Sequence, residues 1–168
     1  RRYFTTGLIM VVAAAAAALI GGHVFFDPLT RLLGSTDSME AYMVPYGRVL
    51  MTGAPVFMLS SFLQAFVRND GAPKLAMAGV ISGGVTNVVL DYVFIFLMGW
   101  GMGGAALATV MGTTLTVAIL CSHFFSPENR LKPERGASFR KAKEIVGNGL
   151  SSFILEVSNG LVMLLFNR

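Results

Sequence analysis

The most constraining feature of the sequence is an almost uncharged stretch in its middle. Between Lys74 and Glu128 the only charged residue is Asp91, and apolar residues fill most of the interval. Roughly 20 apolar residues are enough for a helix to cross a lipid bilayer. An ionisable side chain inside such a helix is energetically costly and commonly functional. The stretch therefore predicts membrane-spanning helices, with Asp91 as the first candidate for a functional residue.

The composition of the whole chain agrees with a membrane protein. Of its 168 residues, 54% are hydrophobic and 13% are charged, whereas soluble domains have about 25% charged residues. The single cysteine, Cys121, excludes a disulfide framework within the chain. The sequence motifs of zinc proteases, serine hydrolases and phosphate-binding loops are missing, so we predict that the protein is not an enzyme.

Five apolar stretches predict an all-α membrane protein with five transmembrane helices. The predicted spans are residues 3–26, 41–67, 75–100, 102–125 and 144–168. Basic residues collect on one side of this alternating arrangement, including the segments 68–74 and 126–143. Positive loops mark the cytoplasmic side, so both segments are predicted to be cytoplasmic in a multi-pass protein of the cell (inner) membrane. Basic residues placed between apolar spans also favour membrane loops over a nucleic-acid-binding surface.

Three polar residues of the third and fourth spans form a candidate cation site. Asn87 and Asp91 are four residues apart, so they share one helix face. Asp91 precedes Trp100 by nine residues and Thr109 follows it by nine, which places both at about 13 Å from the turn in ideal helices. The three side chains are therefore expected to converge on one pocket. Their oxygens suit a proton or Na⁺, although Asp91 as a hydrogen-bonded acid that joins helices stays an alternative.

The fifth span contains a second acid within a predicted membrane helix. Glu156 lies about 18 Å from the basic start of the span, and Ser152 and Asn159 share its face. Binding of a cation or a cationic substrate is one expectation for Glu156. The alternative is an acid whose hydrogen bonds are satisfied by neighbouring polar groups.

Several segments together resemble the multidrug and toxic compound extrusion (MATE) family. They are Arg68-Asn69-Asp70-Gly71-Ala72-Pro73-Lys74, Thr86-Asn87-Val88-Val89-Leu90-Asp91, Gly101-Met102-Gly103-Gly104-Ala105-Ala106-Leu107-Ala108-Thr109 and Glu156-Val157-Ser158-Asn159-Gly160. The resemblance implies a bundle of twelve helices in two lobes of six, of which the five spans would be the third to seventh. Residues 1–125 would form part of the N-terminal lobe, 126–143 the cytoplasmic inter-lobe loop and 144–168 the first helix of the C-terminal lobe. The chain is then expected to be a fragment, with the remaining helices of the transporter as its partners.

The resemblance also implies a function. Members of the family export organic cations and other drugs by antiport against Na⁺ or H⁺, with no cofactor besides the coupling ion. Asn87, Asp91 and Thr109 match the cation site of the family's first lobe, where Na⁺ is one possible ligand, and Glu156 matches an acid of the second lobe. A lipid or polysaccharide flippase of related architecture is the nearest alternative, but it needs basic residues in its cavity and only Arg48 is available. An intramembrane enzyme would pair Asp91 with Glu156, and a purely structural module would tolerate Asp91→Asn.

Overall fold

The structure, a computed structural model, describes residues 2–26, 37–127, 129–131 and 139–166. The described residues form five long helices and no strand, so the predicted all-α fold is confirmed. The helices are α1 (Arg2–Val24), α2 (Asp37–Asn69), α3 (Pro73–Asp91), α4 (Gly101–Cys121) and α5 (Phe139–Phe166). A π-helical turn (Tyr92–Leu97) continues α3, and a 3₁₀ turn (Ser122–Phe125) continues α4.

Four of the helices are long and apolar enough to cross a membrane. These spans are Tyr3–Val24, Val44–Asn69, Pro73–Leu97 and Gly101–Phe125. A fifth span is present if the two parts of α5, Arg140–Leu150 and Ser152–Met163, are taken together across the 40° bend between them. Many large apolar side chains on these helices are exposed, as is usual for surfaces that face lipid.

The bounds of the helices bear on the predicted domains. The structure starts α5 at Phe139, inside the segment 126–143 that the sequence assigns to a loop. Residues 128 and 132–138 of that segment lie outside the described residues, as do residue 1, the connection 27–36 and residues 167–168. The division into two lobes and a cytoplasmic loop stays a prediction.

The turn between α2 and α3 follows from its Asn-Asp-Gly-Ala-Pro sequence. Gly71 has φ +90°, which only glycine adopts without strain. The Gly71 N–H donates to the carbonyl of Arg68, and the Ala72 N–H donates to the carbonyl of Val67. This pair of bonds is a Schellman motif, which ends α2. Pro73 then starts α3, where its missing N–H costs nothing.

The hydrophobic core lies at the end of the bundle where α1 and α3 begin and α2 and α4 end. Its buried members are Phe4, Leu63, Val67, Ala76, Leu120 and Leu131. Leu131 follows α4 in sequence and is 8% exposed, so the chain folds back onto the helices after α4. The first residues of the predicted loop are therefore part of the packed core.

Candidate cation site

The candidate site depends on a close crossing of α3 and α4. A Cβ atom added at Gly83 would lie 2.6 Å from the carbonyl oxygen of Gly112, and one added at Gly112 would lie 2.6 Å from that of Gly83. Because both positions lack a side chain, the two backbones touch. The Thr116 hydroxyl fastens the crossing by donating to the carbonyls of Gly79 and Gly112, at 3.1 and 3.3 Å.

This crossing brings Asn87 and Thr109 together. The Asn87 amide Nδ2 donates to Thr109 Oγ1 at 3.3 Å, and Thr109 Oγ1 donates to the carbonyl of Ala105 at 3.0 Å. Thr113, one turn further along α4, makes the same type of backbone bond to Thr109. The arrangement engages the amide nitrogen of Asn87 and leaves its carbonyl oxygen as the atom that can accept a donor or bind a cation.

Asp91 lies one turn nearer to the hairpin than this hydrogen bond. Among the described residues it has one carboxylate oxygen, Oδ1, that is buried and has no hydrogen-bond partner. A buried carboxylate oxygen without a partner is unfavourable unless a proton or a cation compensates it. Asp91 therefore supplies an atom that suits the predicted ion.

The π-helical turn Tyr92–Leu97 begins directly after Asp91. Its wider turns fit more residues into a given length than the ideal α-helix assumed from the sequence. Asn87, and not Asp91, is for this reason level with Thr109. Turns of this kind occur frequently at functional sites, but nothing in the sequence indicated one here.

A polar cavity of about 310 Å³ adjoins the Asn87–Thr109 pair between α2, α3 and α4. Its described wall includes both of these residues but not Asp91, so the structure brings two of the three predicted residues to one cavity. From α2, Gln64 and Ser60 contribute polar atoms, and Gln64 Nε2 donates to Ser60 Oγ at 3.1 Å. The sequence analysis missed this contribution, because Gln64 and Ser60 carry no charge and α2 has no strongly one-sided polar pattern.

Glu156 lies apart from these residues. It is exposed on α5, as are Ser152 and Asn159, which share its face. The main contacts of α5 are with α1. Within the described chain the structure does not bring Glu156 to the cavity, and its role in a second lobe stays a prediction.

A second polar cluster, which the sequence did not indicate, lies at the opposite end of α4. The carboxylate oxygen Oδ2 of Asp70 is 2.8 Å from His123 Nε2 and accepts the backbone N–H of Arg130 at 2.9 Å. The side chains of His123 and Asp70 are 2% and 8% exposed. Desolvation raises the pKa of Asp70, but the hydrogen bonds and charges of Arg130 and His123 outweigh it and hold the pKa below its ordinary value. The cluster ties the segment after α4 to the turn between α2 and α3.

Comparison with known proteins gives this geometry its context. A sequence model of the family described as MatE matches residues 1–93. The multidrug export protein MepA of Staphylococcus saprophyticus is 26% identical over 145 residues, which make up 84% of this chain and 32% of the relative. MepA of Staphylococcus aureus is 25% identical over 150 residues, 85% of this chain and 32% of the relative. The chain thus spans about a third of the length of these curated relatives.

Solved structures with the same arrangement of helices exist in two conformations. The outward-facing conformation of a multidrug resistance MATE family transporter of the MOP superfamily matches 96% of this chain and 37% of its own, with a TM-score of 0.86 and 25% identity. An inward-facing conformation matches 88% of this chain and 34% of its own, with a TM-score of 0.80 and 25% identity.

Proposed function

This chain belongs to the MatE family, and we propose that it forms part of a cation-coupled antiporter that exports organic cations and other drugs. The chain is a multi-pass membrane protein, and the complete transporter would add further helices around it. In this proposal the basic ends of the helices face the cytoplasm. Coupling uses H⁺ or Na⁺.

The observation that carries the proposal is the unpaired, buried Oδ1 atom of Asp91. In a helix that crosses the membrane, such an atom is stabilised when a proton or Na⁺ binds to it. The free carbonyl oxygen of Asn87, one turn away on the same helix, is the second ligand in this proposal. Thr109 acts mainly by holding the Asn87 amide in its orientation.

Coupling follows from linkage between two binding events. If the ion and the drug bind preferentially to different conformations of the transporter, a gradient of one drives the movement of the other. The polar cavity beside Asn87 gives ions and water a place next to α3 and α4. Protonation or Na⁺ binding at Asp91 changes the charge near this cavity, and the change favours one conformation.

The flippase and enzyme alternatives receive less support from the geometry. Arg48 is exposed and lies 6.0 Å from the ring of Phe26, and it is not part of the described wall of the polar cavity. Asp91 is on α3, whereas Glu156 is exposed on α5, a helix that mainly contacts α1. A catalytic pair needs both acids at one reacting atom.

The experiment that tests the proposal is efflux of a fluorescent organic cation from cells that express the complete gene product. Asp91→Asn keeps the size and polarity of the side chain but removes its charge, so we expect normal membrane levels and loss of efflux. Efflux equal to the wild type in Asp91→Asn would contradict the proposal. Thr114→Ala is a suitable control, since Thr114 is exposed and only bonds the carbonyl of Val110 in its own helix.

A further inference from the structure

We infer that Tyr3, Lys141 and Glu144 form a gate that closes the basic end of the transporter in its outward-facing state. This inference rests on the proposed function, because it assumes that α1 and α5 belong to parts that move relative to each other. It goes beyond that function by naming residues that set the conformational equilibrium.

The three residues connect α1 with the start of α5. The Tyr3 hydroxyl donates a hydrogen bond to Glu144 Oε2. The Lys141 ammonium lies 4.2 Å from the centre of the Tyr3 ring, close enough for a cation–π interaction. Tyr3 thus contacts an anion through its hydroxyl and a cation through its ring face, and both partners come from one turn of α5.

This contact has the character of an interface that opens. Tyr3 is 45% exposed and the Glu144 side chain is 43% exposed. By contrast, α1 is held to α2 by buried apolar contacts such as those of Phe4 and Leu63. A polar, half-exposed interface within a chain separates at lower cost than a buried apolar one. The asymmetry indicates that α1 stays with α2, whereas α5 is the partner that can move.

The position of the contact fits closure on the basic side. Tyr3 is in the first turn of α1 and Glu144 is near the start of α5. Both lie at the end of the helices that carries the basic residues, and Arg140, at 3.6 Å from Glu144, adds a further cation there. The chain also superposes more completely on the outward-facing than on the inward-facing relative. In alternating access, the outward-facing state is the one in which the cytoplasmic side is closed.

The test measures the opening directly in the complete gene product, reconstituted in lipid without any drug. Spin labels are attached to cysteines at Arg68, on α2, and Lys143, on α5, which are both exposed. Cys121→Ser removes the native thiol. Electron-electron resonance then gives the populations of short and long distances between the two helix ends.

Tyr3→Phe removes only the hydroxyl, and Lys141→Met removes only the cation. Exposed ion pairs and cation–π contacts shift an equilibrium by about two- to five-fold, so we expect either variant to raise the ratio of long to short distances by about that factor. Tyr92→Phe is the matched control, because Tyr92 is exposed at the other end of α3, and it should leave the ratio unchanged. The thermal unfolding midpoint should be the same in all of these proteins.

Two results would overturn the gate. One is a distance distribution in Tyr3→Phe and Lys141→Met that equals that of Tyr92→Phe. The other is a lowered unfolding midpoint without a change in distances, which would make the contact purely structural. Neither depends on transport, so failure of the antiporter proposal, seen as absent efflux in the wild type, is recognised separately.

Discussion

Gly83→Ala should separate α3 from α4 and disturb the candidate cation site without touching it. The added Cβ would lie 2.0 Å from Thr116 Oγ1 and 2.6 Å from the Gly112 carbonyl oxygen. Ordinary contact begins at 3.4 Å, so the Gly112 backbone has to retreat by roughly 0.8 Å, a small-to-large change of the kind that costs about 1–3 kcal/mol. Displacing Thr116 also weakens its bond to the Gly79 carbonyl, which is worth about 1 kcal/mol.

A helix gains up to about 1 kcal/mol when alanine replaces glycine, so the net destabilisation from Gly83→Ala should be about 1–3 kcal/mol. The Asn87–Thr109 hydrogen bond is already 3.3 Å long, and a further separation of the helices would break it. We therefore expect a thermal midpoint several degrees lower in detergent, together with a higher ion concentration for half-maximal efflux.

The neighbouring residue provides a matched control. A Cβ at Gly84 would have nothing within 4 Å, so Gly84→Ala should keep or slightly raise the midpoint and leave the ion dependence unchanged. Equal midpoints and equal ion dependence in Gly83→Ala and Gly84→Ala would refute the close crossing and its role in holding Asn87.

Three further predictions concern single side chains. Thr109→Ala removes the acceptor of the Asn87 amide and should raise the ion concentration for half-maximal efflux about fivefold, from roughly 1 kcal/mol for one hydrogen bond; an unchanged value, matching that of Thr114→Ala, would contradict this. Leu131→Ala should lower the free energy of unfolding by about 2–5 kcal/mol, because Leu131 is a buried member of the core; denaturant unfolding in detergent that shows a loss below about 0.5 kcal/mol, as for surface positions, would show that Leu131 is not packed. Since the folded pKa of Asp70 is lowered, its charge should stabilise the protein fully above the unfolded pKa of about 3.9 and progressively less as the pH falls through the folded pKa; the midpoint difference between wild type and Asp70→Asn should thus vanish in acid, and a difference that grows there would reverse the sign.

The all-α fold could be predicted from the sequence because long apolar runs have few stable alternatives in lipid. Polar turns mark where helices end, and the Gly71 and Pro73 pattern fixes one of these ends in detail. The proximity of Asn87 and Thr109 followed from helix geometry on either side of a hairpin.

Other features could not be predicted because they depend on the packing of distant segments. The π-helical turn after Asp91 has no sequence signature and changes which residue is level with Thr109. The His123–Asp70 pair joins residues on different helices and gives no periodic signal. Leu131 looks like an ordinary loop residue until the chain folds back onto the core.

The most direct test of the central claim is drug uptake into proteoliposomes under an imposed ion gradient, with the complete gene product in either its wild-type or its Asp91→Asn form. Wild-type protein should accumulate the drug against its concentration gradient when an opposing H⁺ or Na⁺ gradient is present. The Asp91→Asn variant should still exchange drug across the membrane but should bring it only to equilibrium. Gradient-driven accumulation by Asp91→Asn equal to that of the wild type would contradict the assignment of the coupling ion to Asp91.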